Sequence, residues 1–138
     1  MFLNFTNHPS AQWAAPQQQA AGAYGPIRDL PFPAVPPAAG SAALDRMADR
    51  WADRIAGMHP DCVLCQGEMT LTYRIVQRLL AQGIPVVAAC SERHSREWTN
   101  AQGKVCRVTA FEFVQFRPYA EPAPGFAIAP KPEYTQSK

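Results

Sequence analysis

Apolar and polar positions along this chain fall into three rhythms. Cys62–Cys65 is a short continuous apolar run and residues 2–6 and 84–89 are short, mostly apolar ones, the pattern of buried strands of a parallel sheet. Leu44, Met47, Ala48, Trp51, Ala52 and Ile55 recur at helical spacing, which predicts a helix over 42–58 with Ser41 as its cap. Leu71, Ile75, Val76 and Leu79 predict another over 70–82, stopped by Gly83. A third helix is expected over 11–21, with Ser10 as N-cap, Gly22 as its end and Pro16 disturbing its first turns. Residues 26–30 suit a short strand, and Pro31-Phe32-Pro33 must leave the sheet, because proline cannot donate to a ladder.

Strict alternation takes over beyond Arg93. Asn100-Ala101-Gln102-Gly103 reads as a hairpin turn, and Val105, Arg107, Thr109, Phe111 and Phe113 alternate with Cys106, Val108 and Ala110 over 105–119. The fold class that follows is α/β. It is a Rossmann-like, mostly parallel sheet of about four strands with three helices, closed by a C-terminal antiparallel hairpin. In such a sheet the carboxyl ends of the parallel strands share one edge. Three polar clusters follow the apolar runs and are expected there: Thr6 to Ser10, Gln66 to Thr70, and Ser91-Glu92-Arg93.

With 138 residues the chain suits one core, assigned to 1–119, and its 47% hydrophobic content argues against wholesale disorder. Pro118 to Pro132 hold five of the 14 prolines, and residues 120–138 read as a poorly ordered tail. A net charge of +2 is too small for a basic stripe that holds long nucleic acid. No apolar stretch has the length of a membrane span, and the N-terminus lacks a signal-peptide pattern. The expectation is a cytoplasmic protein with four reduced cysteines.

Candidate chemistry sits in the polar clusters. Asn7, His8 and Ser10 surround an expected helix start, where backbone amides favour anions and a histidine can donate or transfer a proton. Against this, Asn7 and Ser10 also suit plain capping. Gly67 permits a tight turn and close backbone approach, while Gln66, Glu68 and Thr70 offer acceptors and hydroxyls near ribose scale. Glu68 suits a general base, or simply an acid favoured by the helix dipole. Ser91 and Arg93 close the fourth run, and arginine is the planar, two-pronged partner of phosphate. Cys62 and Cys65 have a metal-like spacing, but residues three apart in a strand point to opposite faces, so no metal site is expected. Phe111, Phe113 and Phe116 suit core or dimer packing, and a stacking platform only if exposed. No P-loop, dinucleotide fingerprint, nucleophile elbow or paired carboxylate is present, and no cofactor is expected.

Leu64-Cys65-Gln66-Gly67-Glu68, Thr72-Tyr73, Val76, Gly83-Ile84-Pro85 and Ala89-Cys90-Ser91-Glu92-Arg93 occur in that order. Together with Phe111-Glu112-Phe113-Val114-Gln115-Phe116-Arg117, they resemble small stand-alone CRISPR-associated proteins of the CARF-like, ring-nuclease group. The resemblance covers about residues 62–117. It implies a homodimer that binds a cyclic oligoadenylate across its two-fold axis. In members that are enzymes, it implies metal-independent ring opening by a ribose 2′-hydroxyl, which switches off an antiviral response. On that implication Arg93 and the Asn7–Ser10 turn would hold phosphate. Gln66 and Glu68 would read or deprotonate ligand groups, and His8 would protonate the leaving oxygen. Two other functions fit the same residues: a sensor or sponge that binds the ring without turnover, and a Rossmann-like enzyme of a small nucleotide.

Overall fold

The structure, a computed structural model, describes residues 1–124. Five strands form one sheet in the order β2-β1-β3-β4-β5. β1 (Phe2–Phe5), β2 (Ile27–Asp29), β3 (Cys62–Cys65) and β4 (Val86–Thr99) are parallel, and β5 (Val105–Pro118) returns antiparallel along β4. The expected α/β class with a closing hairpin is the observed one. The chain steps from β1 to β2 on one side and then to β3 on the other. The order of strands therefore reverses between β1 and β3, the place where open α/β sheets hold ligands.

Alternation along the central strands divides the core into two layers. Phe2, Cys62, Leu64 and Val87 pack with Ala21 of α1 (Ala15–Gly22). Leu3, Phe5, Val63, Cys65 and Val86 pack under α2 (Ser41–Ala56) and α3 (Met69–Ala81). Cys62 and Cys65 thus lie on opposite faces of β3, which prevents them from chelating one ion. Burial pushes both thiols up to about 12. The buried faces of α2 and α3 carry Leu44, Ala48, Ala52, Ile55, Leu71, Ile75 and Leu79, the helical-spacing residues of the sequence. Asp45–Arg74 at 2.9 Å and Asp49–Arg78 at 2.6 Å tie the outer seam between them.

Three local departures from the sequence pattern have plain causes. The first helix is split into a single 3-10 turn over Ser10–Gln12 and then α1, because Pro16 is tolerated only in a first turn and thereby fixes where α1 begins. Ser10 makes no side-chain cap, and Gly40 rather than Ser41 is the N-cap residue of α2. The largest departure is β4. It does not end at Ser91-Glu92-Arg93 but continues to Thr99, since β5 supplies a paired partner along the entire length, across a bulge at Cys90/Ser91. β4 meets β3 only at Val86 and Val87, so the two strands beyond Ser91 stand off the body as a two-stranded arm with exposed side chains. Its turn is held by Asn100, whose Oδ1 accepts the Gln102 and Lys104 amides, while Gly103 takes φ 74°.

The expected tail lies mostly outside the described residues. The chain is docked where the tail begins: Tyr119, just before it, donates its Oη to the Cys65 carbonyl at 2.7 Å, and the Ala123 amide within it donates to the Leu80 carbonyl at 3.0 Å.

Candidate functional site: a cavity over the strand ends

The carboxyl ends of β1 and β3, together with the Ala89–Ser91 stretch of β4, border a cavity of about 840 Å³ on the α1 side of the sheet. Thr6, Asn7 and His8 follow β1, and Gln66 and Gly67 follow β3. Ala89 and Ser91 come from β4, Phe111 and Phe113 from β5, Trp13 and Ala14 from the segment leading into α1, and Gln17 from its first turn. Asn7, His8, Gln66, Gly67 and Ser91 are thereby brought together from positions 84 residues apart (7 to 91).

Hydrogen bonds fix the walls, and some of them engage the lining side chains Thr6, Trp13 and Gln66. Asn4 is buried at 1% exposure beneath the β1 turn. Its Nδ2 donates to the His8 carbonyl at 2.9 Å and to Asp29 Oδ1 at 2.8 Å, and its Oδ1 accepts the Thr6 hydroxyl at 2.8 Å. Trp13 Nε1 also donates to the His8 carbonyl, at 3.2 Å. Backbone and not side-chain contacts therefore set the position of His8, whose imidazole is exposed at the rim. On the β3 side, Gln66 Oε1 accepts the Ala89 amide at 2.9 Å, which leaves its Nε2 as a donor.

The remaining candidates lie elsewhere. Ser10 does not line the cavity, and its amide donates to the Asp29 carboxylate at 3.1 Å. A carboxylate already occupies the turn expected to hold phosphate. Glu68 is the N-cap of α3, where its oxygens accept the Thr70 and Leu71 amides at 3.1 and 2.8 Å and the Thr70 hydroxyl. Those bonds hold its carboxyl below the ordinary glutamate range, the Leu71 amide contributing most. Glu68 and Thr70 both lie outside the lining. Arg93 stands on the exposed arm, two residues beyond Ser91 on the same strand face. Among the described residues, no Lys, Arg, Asp or Glu lines the cavity, and His8 is its one titratable side chain.

Gly67 matters for a reason the sequence did not disclose. A Cβ at this position would lie 2.3 Å from the ring of Phe32, which is buried against Phe5 with ring centroids 4.9 Å apart. The close approach is to the protein's own core. Trp13 escapes a reading of the motifs alone, and Phe111 and Phe113, expected in core or dimer packing, line the cavity. Phe113 lies 4.9 Å from Phe116, and Phe116 and Trp13 pack at 6.3 Å, so one aromatic wall runs from the cavity into the core. A second, apolar cavity of about 450 Å³ lies across the Gln66–Gly67 turn, between Met69, Tyr73, Val76 and Leu80 of α3 and Tyr119.

Fold and cavity define an α/β protein with a neutral, aromatic-walled cavity at its topological switch point. The chain belongs to the uncharacterized protein MJ1673 family, whose profile matches residues 1–117, a span that contains every residue lining the larger cavity. No curated protein and no solved structure matches the chain.

Proposed function

We propose that the strand-end cavity binds a cyclic oligoadenylate and that His8 assists its opening. One observation carries this reading: a single cavity combines neutral hydrogen-bonding side chains from the turns after β1 and β3 and from β4 with the rings of Trp13, Phe111 and Phe113. Amide and hydroxyl groups match the edges of nucleobases and ribose, and aromatic faces accept bases by stacking. The volume of about 840 Å³ lies toward the upper end of small-ligand sites, which run roughly 300–1,000 Å³, and so suits more than one nucleotide unit.

The chemistry asks little of the protein. A ribose 2′-oxygen attacks the adjacent phosphorus, a 2′,3′-cyclic phosphate forms and the bond to the 5′-oxygen breaks. The hydroxyl proton passes to water, and His8 returns a proton to the departing 5′-oxygen. Gln66 Nε2, Asn7 and Ser91 hold the ring in line for that attack.

A second reading, binding without turnover, is favoured by the single titratable group in the lining: no general base faces His8 across the cavity. One experiment separates the readings. The protein is incubated with cyclic tri-, tetra- and hexa-adenylate in EDTA, with binding and products followed together. Linear products ending in a 2′,3′-cyclic phosphate, slowed more in His8→Ala than binding is weakened, support the enzyme. Tight binding without products supports a sensor or sponge. Absence of both overturns the cyclic-oligoadenylate reading and favours a small-nucleotide site.

A further inference from the structure

We infer that two copies of this chain pair through the cavity-side face of the β4–β5 arm, and that each arm lays its hairpin turn against the partner's strand-end cavity. The sharing of a ligand site between copies rests on the function proposed above; the pairing itself does not.

The arm is a structural anomaly as it stands. Beyond Ser91 it is a two-stranded ribbon with both faces exposed, and an isolated two-stranded hairpin is marginal in water. Its apolar side chains remain open: Phe111 is 71% exposed and Val105 65%. The pairing register assigns the residues to faces. Ser91 and Phe113 line the cavity, so the rows Ser91/Phe113, Arg93/Phe111, Ser95/Thr109, Glu97/Arg107 and Thr99/Val105 all lie on the cavity side.

Those five rows are self-complementary about their middle. A two-fold axis across the central Ser95/Thr109 row stacks β4 on β4 and β5 on β5 with reversed direction. Row 93/111 then meets row 97/107 of the other copy, and row 91/113 meets row 99/105. Arg93, which has no ion pair among the described residues, arrives at the other copy's Glu97. Phe111 arrives at the guanidinium of Arg107, a cation–π match, and Phe113 at Val105, apolar on apolar. The central row is small, and its two hydroxyls are already paired at 3.3 Å, which lets the ribbons approach closely. Like charges do not meet anywhere in this register. An isologous contact of a C2 dimer requires this kind of match.

The same register places the hairpin turn. Residues 100–104 extend past row 99/105, so they fall beyond the other copy's Ser91 and Phe113, at the mouth of its cavity. Lys104 is in that turn, and the cavity carries no permanent cation of its own. The partner copy thus brings a positive charge to a site that needs one for a phosphate-bearing ligand.

The test is a mixing experiment on the full chain, read by sedimentation equilibrium and native mass spectrometry. Arg93→Glu and Glu97→Arg, each placing like charges in two symmetry-related contacts, are expected to weaken self-association at least about tenfold. Both substitutions are at exposed positions, and unchanged circular dichroism shows that the variants fold. Mixed together, the two variants restore both contacts, so a heterodimer is expected where neither variant dimerises alone. A monomeric wild-type chain, or variants whose self-association is unaltered, or a mixture that stays monomeric, would overturn the pairing. A photo-crosslinking residue in place of Gln102 is expected to attach to the partner's segment between His8 and Gln17; attachment only within its own chain overturns the placement of the turn. A dimeric Lys104→Ala variant that binds cyclic tetra-adenylate as tightly as wild type removes the role of Lys104. Failure of the wild-type dimer itself to bind that ring counts against the proposed function and leaves the pairing standing.

Discussion

Gln66 bridges to Ala89 where β3 and β4 part company. The ladder between these strands ends at Leu64↔Val87, and the Gln66 side chain takes over, its Oε1 accepting the Ala89 amide at 2.9 Å. This bond holds the crevice open at a fixed width and aims Nε2 at the cavity. Gln66→Leu removes the acceptor, and the expected loss is about 0.5–1.5 kcal/mol by urea unfolding, together with weaker binding of cyclic tetra-adenylate. Gln66→Glu keeps an acceptor and is expected to retain most of the stability. Equal stability of all three proteins would show that the bridge does not hold the strands.

Gly67 and Phe32 make a second such pair, by contact. With a Cβ at Gly67 only 2.3 Å from a ring that is 4% exposed, Gly67→Ala must displace Phe32 from its packing on Phe5. Overpacking of this kind costs about 1–3 kcal/mol. Phe32→Leu shortens the obstructing side chain, so the double variant is expected to lose less than the sum of the two single variants in thermal or urea unfolding. Strict additivity would mean that the two positions do not compete for one space.

These pairs mark where the sequence stops being readable. Apolar runs and helical spacing place Asn7, His8, Gln66 and Ser91 at one sheet edge, because strand direction alone decides it. The aromatic wall is different. Trp13 reaches the cavity only because Pro16 delays α1, and Phe111 only because β4 continues through Ser91-Glu92-Arg93, a polar run that looks like a strand end. Nothing in the sequence singles out Asp29, because its partners Asn4 and Ser10 are 25 and 19 residues away and depend on the β1–β2 register. Glu68 shows the opposite case: its position three residues before Leu71 admits both a cap and a base, and the hydrogen bonds select the cap.

That cap has a pH signature. The Leu71 amide and the Thr70 hydroxyl and amide bond Glu68 more strongly as a carboxylate than as an acid, so its pKa in the folded protein lies below the ordinary 4.5. Below 4.5 the unfolded chain takes up this proton more readily than the folded one. The stabilisation is therefore complete above that value and is lost as pH falls through the lower, folded pKa. Glu68→Gln is expected to unfold at a lower temperature than wild type at pH 7, with the gap narrowing as the pH is taken below 4.5. A constant gap across that range would assign the stability change to something other than the charged cap.

Asp29 offers the most direct test of how the β1 turn is positioned. Its carboxylate joins two elements that the sequence keeps apart: the buried Asn4 amide at 2.8 Å and the Ser10 backbone amide at 3.1 Å. Asn4 in turn holds the His8 carbonyl, so the carboxylate lies one bond removed from the residue assigned the proton transfer. Asp29→Ala leaves the Ser10 amide without this acceptor, and Asn4 keeps only its bonds to His8 and Thr6. Loss of charge-assisted hydrogen bonds at a partly exposed position is expected to cost about 1–2 kcal/mol. The Ser10 amide should exchange with deuterium faster than in wild type, while amides of the distant α2–α3 layer keep their protection relative to global unfolding. If His8 is held by this network, binding or cleavage of cyclic tetra-adenylate should weaken in Asp29→Ala although Asp29 does not line the cavity. Asp29→Asn retains one acceptor oxygen and should fall between the two. Faster exchange at Ser10 with unaltered ligand behaviour would separate Asp29 from the site and leave His8 positioned by Asn4, Thr6 and Trp13.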